Sequence, residues 1–231
     1  MDLPYITQLT EGRGFNYDNC LRNTALLEHA GVQQTHMKTG TTICGAIFKD
    51  GIVLCTDTKA SAGSLALDKQ VQKLIQIAPN IWTAFCGTAA DCVHIGHMVK
   101  RDLELHRLNT HTQSRVQQAA GRFVDHLFRY GGHIGVGLVL GGFDVKGPQI
   151  MHVSPDGNSF GAPFDSQGSG GLNAMAVLER EFKDNMTEQE CVDMVVRAIE
   201  AGVEYDLGSG CNVDYVVIRK DGTSEFHKGH K

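Results

Sequence analysis

Apolar and polar positions begin to alternate at Thr41: Ile43, Gly45 and Ile47 fall on one face, and Cys44, Ala46 and Phe48 on the other. An apolar run over 52–55 follows, and Asp50-Gly51 between the two runs predicts a hairpin with a two-residue turn. Residues 81–86 predict a third strand that stops at Gly87. From Thr88 to about Leu108 the pattern turns helical. A second helix over 113–130 sets Val116, Ala119, Ala120, Phe123 and Leu127 at the spacing of an amphipathic face. Strands return over 134–142, 150–154 and 158–162, punctuated by Gly147-Pro148 and Asp156-Gly157. A third helix fits 172–182. A fourth opens at Thr187, whose spacing to Glu190 is that of a capping box, ahead of a stripe of Cys191, Met194, Val195, Ala198 and Ile199. Residues 213–218 read as a buried strand that Lys220-Asp221-Gly222 turns back towards Phe226.

Strands, two helices, strands, two helices and strands is not the alternation of a doubly wound sheet. The expected class is α/β (α+β): two antiparallel sheets packed face to face with helices outside each, a four-layer αββα sandwich. Residues 1–40 differ from the rest, being polar and aperiodic apart from a short helical stretch near 21–29. The expected division is therefore a leader, 1–40, and one domain, 41–231.

A net charge of -5 without a block of five like charges argues against nucleic acid and against a polybasic membrane anchor. The N-terminus lacks the basic start and apolar run of a signal peptide, and no stretch reaches the ~18 apolar residues that cross a bilayer. No membrane partner is expected, the Asn185-Met186-Thr187 sequon is expected to go unused, and the expected setting is cytoplasm and nucleus. The seven cysteines are odd in number and lack CxxC spacing, which points to reduced, buried thiols. His94 and His97 have no third ligand in view and HExxH is absent, so neither a metal nor another cofactor is expected. No GxSxG elbow marks a serine hydrolase, and Gly168-Ser169-Gly170-Gly171 lacks the lysine of a phosphate loop.

Cutting the chain between Gly40 and Thr41 would leave a threonine carrying both a hydroxyl and a free α-amine. With a pKa of ~7.7–8.0 that amine suits the role of base to the hydroxyl. Asp57 and Lys59 end the second apolar run, where charge commonly means that a strand has reached the surface. Lys73 sits in the apolar neighbourhood Val71-Gln72-Lys73-Leu74-Ile75; if it points inward, Asp57 is its natural partner. Gly87 is either a simple turn or a backbone N–H facing an oxyanion. Asp206-Leu207-Gly208-Ser209-Gly210 fits a helix C-cap, with Asp206 and Ser209 asking for more explanation.

In combination, Gly40-Thr41-Thr42, Asp57, Lys73, Gly87, Gly168-Ser169-Gly170 and the segment from Asp206 to Gly210 stand in the order and spacing of the proteasome beta subunits. The chain resembles that family from Thr41 to about Ile218, and within it the second catalytic type. Gly14-Phe15-Asn16-Tyr17-Asp18-Asn19-Cys20, Arg22-Asn23, Lys38-Thr39-Gly40, Gly87-Thr88-Ala89-Ala90-Asp91 and Leu127-Phe128-Arg129-Tyr130 carry that likeness.

The resemblance implies an N-terminal nucleophile hydrolase fold, a zymogen that cleaves itself before Thr41, and a threonine-type endopeptidase. It implies assembly with other alpha and beta subunits into a twenty-eight-subunit barrel of four rings, regulatory particles at the barrel ends, and unfolded, ubiquitin-targeted polypeptides as substrates. A part in antigen processing follows from the inducible members. By position, Thr41 is the nucleophile and Lys73, paired with Asp57, adjusts its proton affinity. The Gly87 N–H holds the oxyanion, while Ser169, Asp206 and Ser209 support the amine.

The substrate pocket falls on Lys59, Ala60, Val71, Ile75, Phe85, Ala89 and Val93. The second type carries glycine at the place of Phe85 and an acid at that of Val93, so this apolar wall implies cleavage after hydrophobic residues. The chain also stops at Lys231, short of the arm by which the second type embraces a neighbour, which implies altered assembly. The alternative is a noncatalytic structural or assembly subunit of the ring.

Overall fold

The alternation that starts after Thr41 creates two apolar faces, and both are buried in the computed structural model, which describes residues 39–230 together with Leu21, Arg22, Thr24, Ala25 and Glu28. Strands β1 (Thr42–Phe48) and β2 (Gly51–Asp57) form the expected hairpin. Cys44, Ala46 and Phe48 pack on helices, while Ile43 packs on a second sheet. The turn is Lys49-Asp50, one residue earlier than the sequence suggests, because Phe48 pairs directly with Gly51. Glycine at 51 answers a different need: a Cβ there would stand 2.2 Å from the carbonyl oxygen of Ile218.

The remaining strands are β3 (Ala60–Ala62), β4 (Leu65–Asp68), β5 (Leu74–Ala78), β6 (Ile81–Gly87), β7 (Val136–Asp144), β8 (Gly147–Val153), β9 (Ser159–Ala162), β10 (Phe164–Gly168), β11 (Val213–Arg219) and β12 (Ser224–His230). One antiparallel sheet has the order β10-β1-β2-β11-β12 and the other β5-β6-β7-β8-β9, with β3 and β4 as a separate ribbon. Helices α1 (Ala89–Thr110) and α2 (Val116–Arg129) cover the second sheet; α3 (Gly171–Glu181) and α4 (Glu188–Tyr205) cover the first. A third apolar cluster, with Ile43, Leu54, Leu74, Trp82, Val139 and Val216, fills the space between the sheets. The architecture is the expected αββα sandwich of two antiparallel sheets.

Four strands escaped the sequence reading. β4 is exposed at all its positions, and β10 reads Phe-Asp-Ser-Gln-Gly, so neither carries an alternating apolar signal. β3 is only three residues long, and β5 follows directly on the charged Lys73 segment. α2 starts at Val116 rather than 113 because its cap comes from elsewhere: Asp144 accepts the Val116 N–H at 3.0 Å. Gly147-Pro148 lies inside β8, and the turn before it is Val145-Lys146. The capping box of α4 forms as expected, with Thr187 N–H donating to Glu190 at 2.8 Å.

The chain divides into two compact units, 1–36 and 37–231. In the first, the described positions Leu21, Arg22, Thr24, Ala25 and Glu28 are helical, where a short helix was expected. The leader motif from Gly14 to Cys20 lies outside the described residues.

Candidate active site

Glycines bring backbone to backbone around Thr41. A Cβ on Gly40 would stand 2.2 Å from Cα of Gly208, in the loop after α4, and one on Gly168 would stand 2.0 Å from the carbonyl oxygen of Thr41. Gly168 also sits at φ +95, a region that favours glycine, and a Cβ on Gly170 would meet the Thr42 hydroxyl at 2.1 Å. The Gly-Ser-Gly-Gly run between β10 and α3 is thus a cradle for the start of β1.

Within it Thr41 is 6% exposed. Its hydroxyl donates to the Gly40 carbonyl at 2.7 Å and accepts from Lys73 Nζ at 3.0 Å. Lys73 donates as well to Asp57 Oδ1 at 2.6 Å. Asp57 has no solvent exposure, yet it accepts from the N–H groups of Thr42 and Gly210 at 3.0 Å each and of Lys59 at 3.3 Å. Such a set of donors is what makes a fully buried carboxylate tolerable. Burial is the largest influence on Lys73 and lowers its proton affinity; attraction to Asp57 opposes it without cancelling it.

On the other side, the Thr41 N–H donates to Ser169 Oγ at 3.0 Å. Ser169 and Ser209 both donate to Asp206 Oδ2 at 2.6 Å, and Gly208 N–H donates to Oδ1 at 3.1 Å. Burial opposes the charge of Asp206, but the bonds from Ser169, Ser209 and the loop N–H groups together hold its carboxyl below the usual range. Because the Ser169 proton points at Asp206, its oxygen is left to receive the nitrogen of Thr41. Ser209 also lies 2.7 Å from the Thr42 hydroxyl, tying the loop to β1.

Beside Thr41 lies a cavity of about 80 Å³. Lys59, Ala60, Val71, Ile75, Phe85, Ala89 and Val93 all line it, as the sequence suggested. Phe85 is 3% exposed, meets Phe123 edge-on at 5.9 Å and faces Gly96 of α1; Val93 is half exposed at the rim. Lys59 reaches the Leu207 carbonyl at 2.8 Å. Among the described lining residues there is no Asp or Glu. Gly87 ends β6 at φ +115, and its carbonyl accepts the Thr39 hydroxyl at 3.0 Å.

The structure adds residues that the sequence reading missed. Ser61 accepts the Gly40 N–H at 3.0 Å and donates to the Gly208 carbonyl at 3.2 Å, clamping the segment before Thr41. Cys86 and Cys92 line the cavity, and burial pushes each thiol up to about 12. No periodic or motif signal singles these residues out. His94 and His97 are both exposed on α1, and no cluster able to hold a metal occurs among the described residues. No described helix is long and apolar enough to cross a membrane.

The geometry can be set beside known proteins. The sequence pattern described as "Proteasome subunit" matches residues 37–218. Proteasome subunit beta type-7-B of Arabidopsis thaliana is 43% identical over 217 residues, covering 94% of this chain and 79% of the relative. A probable proteasome subunit beta type-2 of Schizosaccharomyces pombe is 43% identical over 94% of this chain and 82% of its own length. Proteasome subunit beta type-10 of Mus musculus is 44% identical over 90% and 77%. With a match from residue 37 to 218, which takes in every helix of the αββα unit and its strands up to β11, and this identity over most of both sequences, the chain belongs to the proteasome subunit family, among its beta subunits.

Proposed function

We propose that this beta subunit is catalytic: the precursor of a threonine endopeptidase of the proteasome core, with Thr41 as nucleophile once residues 1–40 are removed. The observation that carries the reading is the contact of Lys73 Nζ with the Thr41 hydroxyl at 3.0 Å while Asp57 holds the same ammonium at 2.6 Å. A cation fixed beside the hydroxyl favours its deprotonated form, and a preorganised charge costs no rearrangement during reaction.

Self-cleavage is supported by the 2.7 Å contact of the Thr41 hydroxyl with the Gly40 carbonyl. Oγ1 gives up its proton as it attacks that carbonyl carbon, the Gly40–Thr41 C–N bond breaks, and the departing nitrogen takes that proton. Water then splits the resulting ester and releases the leader. The new α-amine stays on Ser169 Oγ, which accepts from the nitrogen at 3.0 Å and is itself held, like Ser209, on Asp206. In peptide hydrolysis the new α-amine takes the hydroxyl proton beside the Lys73 ammonium, and the Gly87 N–H carries the oxyanion.

The pocket wall supports cleavage after hydrophobic residues. Lys59 and Lys73 line the cavity and no acid does among the described residues, so an entering Lys or Arg would lose hydration without a counter-charge. Phe85 keeps the pocket shallow. The proposed setting is the assembled core with its other alpha and beta subunits and regulatory particles, acting on unfolded polypeptides in cytoplasm and nucleus. Fluorogenic peptides with Leu or Arg at the cleaved position test the specificity, and preferred cleavage after Arg refutes it. N-terminal sequencing of the subunit from purified particles tests catalysis: a mature chain that still starts at Met1 favours the noncatalytic reading.

A further inference from the structure

Away from Thr41, one cluster of chemistry-bearing side chains stands at the edge of the sandwich, where β8 and β9 meet β10 of the other sheet. His152 of β8 projects into the gap between the sheets, and its Nδ1 lies 2.8 Å from Oδ2 of Asp165 in β10. Its Nε2 lies 2.9 Å from the hydroxyl of Ser154, just past the end of β8. Phe160, opposite His152 in register, stacks on the imidazole with centroids 4.4 Å apart.

The neighbours fix the proton positions. Asp165 is 2% exposed and, ionised, only accepts, so Nδ1 carries the hydrogen that joins them. Gln167 Nε2 is also 3.0 Å from Nδ1, but its two protons have carbonyl acceptors in Leu138 at 2.8 Å and Val153 at 3.3 Å. When the ring is neutral, Nε2 is then its unprotonated nitrogen, and the Ser154 hydroxyl donates to it. A hydroxyl bonded to an imidazole whose far nitrogen is oriented by a buried carboxylate is the arrangement that activates serine on unrelated folds.

We propose that Ser154 is a base-activated nucleophile and a site of covalent acylation by small activated esters, with His152 as the base and Asp165 holding its ring. Ser154 Oγ attacks the ester carbonyl as Nε2 takes the hydroxyl proton. The bond from the acyl carbon to the leaving oxygen then breaks, and that oxygen departs with the proton from Nε2. The products are a Ser154 ester, an alcohol and the neutral ring.

The surrounding turn sets the limit of the reaction. Ser154 N–H donates to Asn158 at 2.9 Å, Gly157 N–H to Ser154 at 3.0 Å and Asn158 N–H to Asp156 at 3.1 Å. These donors are engaged inside the turn and do not form a hole for an oxyanion, so one acylation is expected rather than turnover. Phe160 over the ring and the half-buried Ser154 restrict the donor to a small acyl group.

A plain structural tie between the sheets needs only donors and acceptors, whereas a nucleophile needs a base, and this separates the two. The full chain carrying Thr41→Ala, which silences the other hydroxyl, is treated with p-nitrophenyl acetate and its acetylated peptides are identified by mass spectrometry. An acetyl group on Ser154 is expected. His152→Gln keeps partners for Asp165 and Ser154 but cannot take the proton, and acetylation at Ser154 is expected to slow by about 100-fold or more. Asp165→Asn, with the base retained but unoriented, is a second variant expected to slow the same step should His152→Gln fail to fold. Absence of an adduct on Ser154, or an unchanged rate in a folded variant of either kind, overturns the proposal.

Discussion

Replacing Asp57 by asparagine removes one charge and almost no volume, so its effect isolates the electrostatics under the proposed nucleophile. Lys73 has a side chain only 9% exposed, and the carboxylate at 2.6 Å is its counter-charge. Asparagine also misfits the donors: Thr42, Lys59, Gly210 and Lys73 all present hydrogens to Asp57, and an amide has only one accepting atom. Breaking a buried pair by removing one partner costs about 3–5 kcal/mol. At about 2–4 °C per kcal/mol for a chain of this size, the melting temperature should fall by about 6–20 °C. Thermal unfolding of the purified chain measures it.

The same variant makes a signed statement about pH. Burial already lowers the proton affinity of Lys73 below its unfolded value, and Asp57 works against that lowering. Between the folded value and the unfolded ~10.4 the unfolded chain binds the extra proton, so stability rises with pH across that window. The penalty is complete below the folded value and gone above the unfolded one. Without Asp57 the folded value drops further, so the rising part of the stability curve should begin at lower pH in Asp57→Asn. Lys73→Met should be the milder loss for stability, because Asp57 keeps three backbone donors, yet it should abolish processing. A melting point for Asp57→Asn within about 2 °C of the parent, with an unchanged pH curve, refutes the coupling.

Gly168→Ala should disrupt the cradle, since the new methyl would meet the Thr41 carbonyl oxygen at 2.0 Å in a backbone region that alanine resists; processing, read by gel mobility, should fall far more than in Gly121→Ala, where nothing lies within 4 Å. Phe85→Gly should cost about 3–5 kcal/mol from the emptied core, measured by denaturant unfolding, while shifting cleavage towards larger apolar residues in a fluorogenic peptide series. Thr187→Ala should cost about 1 kcal/mol by loss of the α4 cap, seen as a small drop in melting temperature with peptide hydrolysis unchanged.

What the sequence revealed and what it hid follow one physical division. The hairpin of β1 and β2 was legible because alternation puts apolar residues against both the helices and the other sheet. The α4 start was legible because Thr187 and Glu190 cap it from within a single turn. α2 was misplaced because its cap is Asp144, distant in sequence, and β10 was missed because its inner face carries Asp165 and Gln167, whose partners are His152, Leu138 and Val153. Turn positions slipped by a residue or two where glycine serves a tertiary approach, as at Gly51, or a positive φ inside a strand, as at Gly147. Thr41, Asp57, Lys73, Ser169, Asp206 and Ser209 do come together, but their grouping was legible only through a family resemblance. No local pattern says that residues so far apart along the chain meet.

The geometry before cleavage also bears on what cleavage would change. The Thr41 nitrogen already rests on Ser169, so turning an amide into an amine asks for no movement on that side. On the other side, the proposed release of residues 1–40 would free the Gly40 contact with Ser61, the Thr39 contact with Gly87 and the Thr41 hydroxyl contact with the Gly40 carbonyl. The hydroxyl that loses its acceptor lies beside Lys73, and the new amine is the nearest fresh base. Thr39 and Gly40 are themselves walls of the cavity of about 80 Å³, so the proposed cleavage would open it on that side. Under the proposed cleavage one bond scission therefore creates the base, redirects the nucleophile and opens the pocket. Ser61→Ala offers a way to separate these effects: it loosens the clamp on Gly40 without touching Thr41, so processing should slow while peptide hydrolysis by the mature enzyme stays as it was. Equal loss of both would show that Ser61 serves the mature site instead, and would break the link between the clamp and maturation.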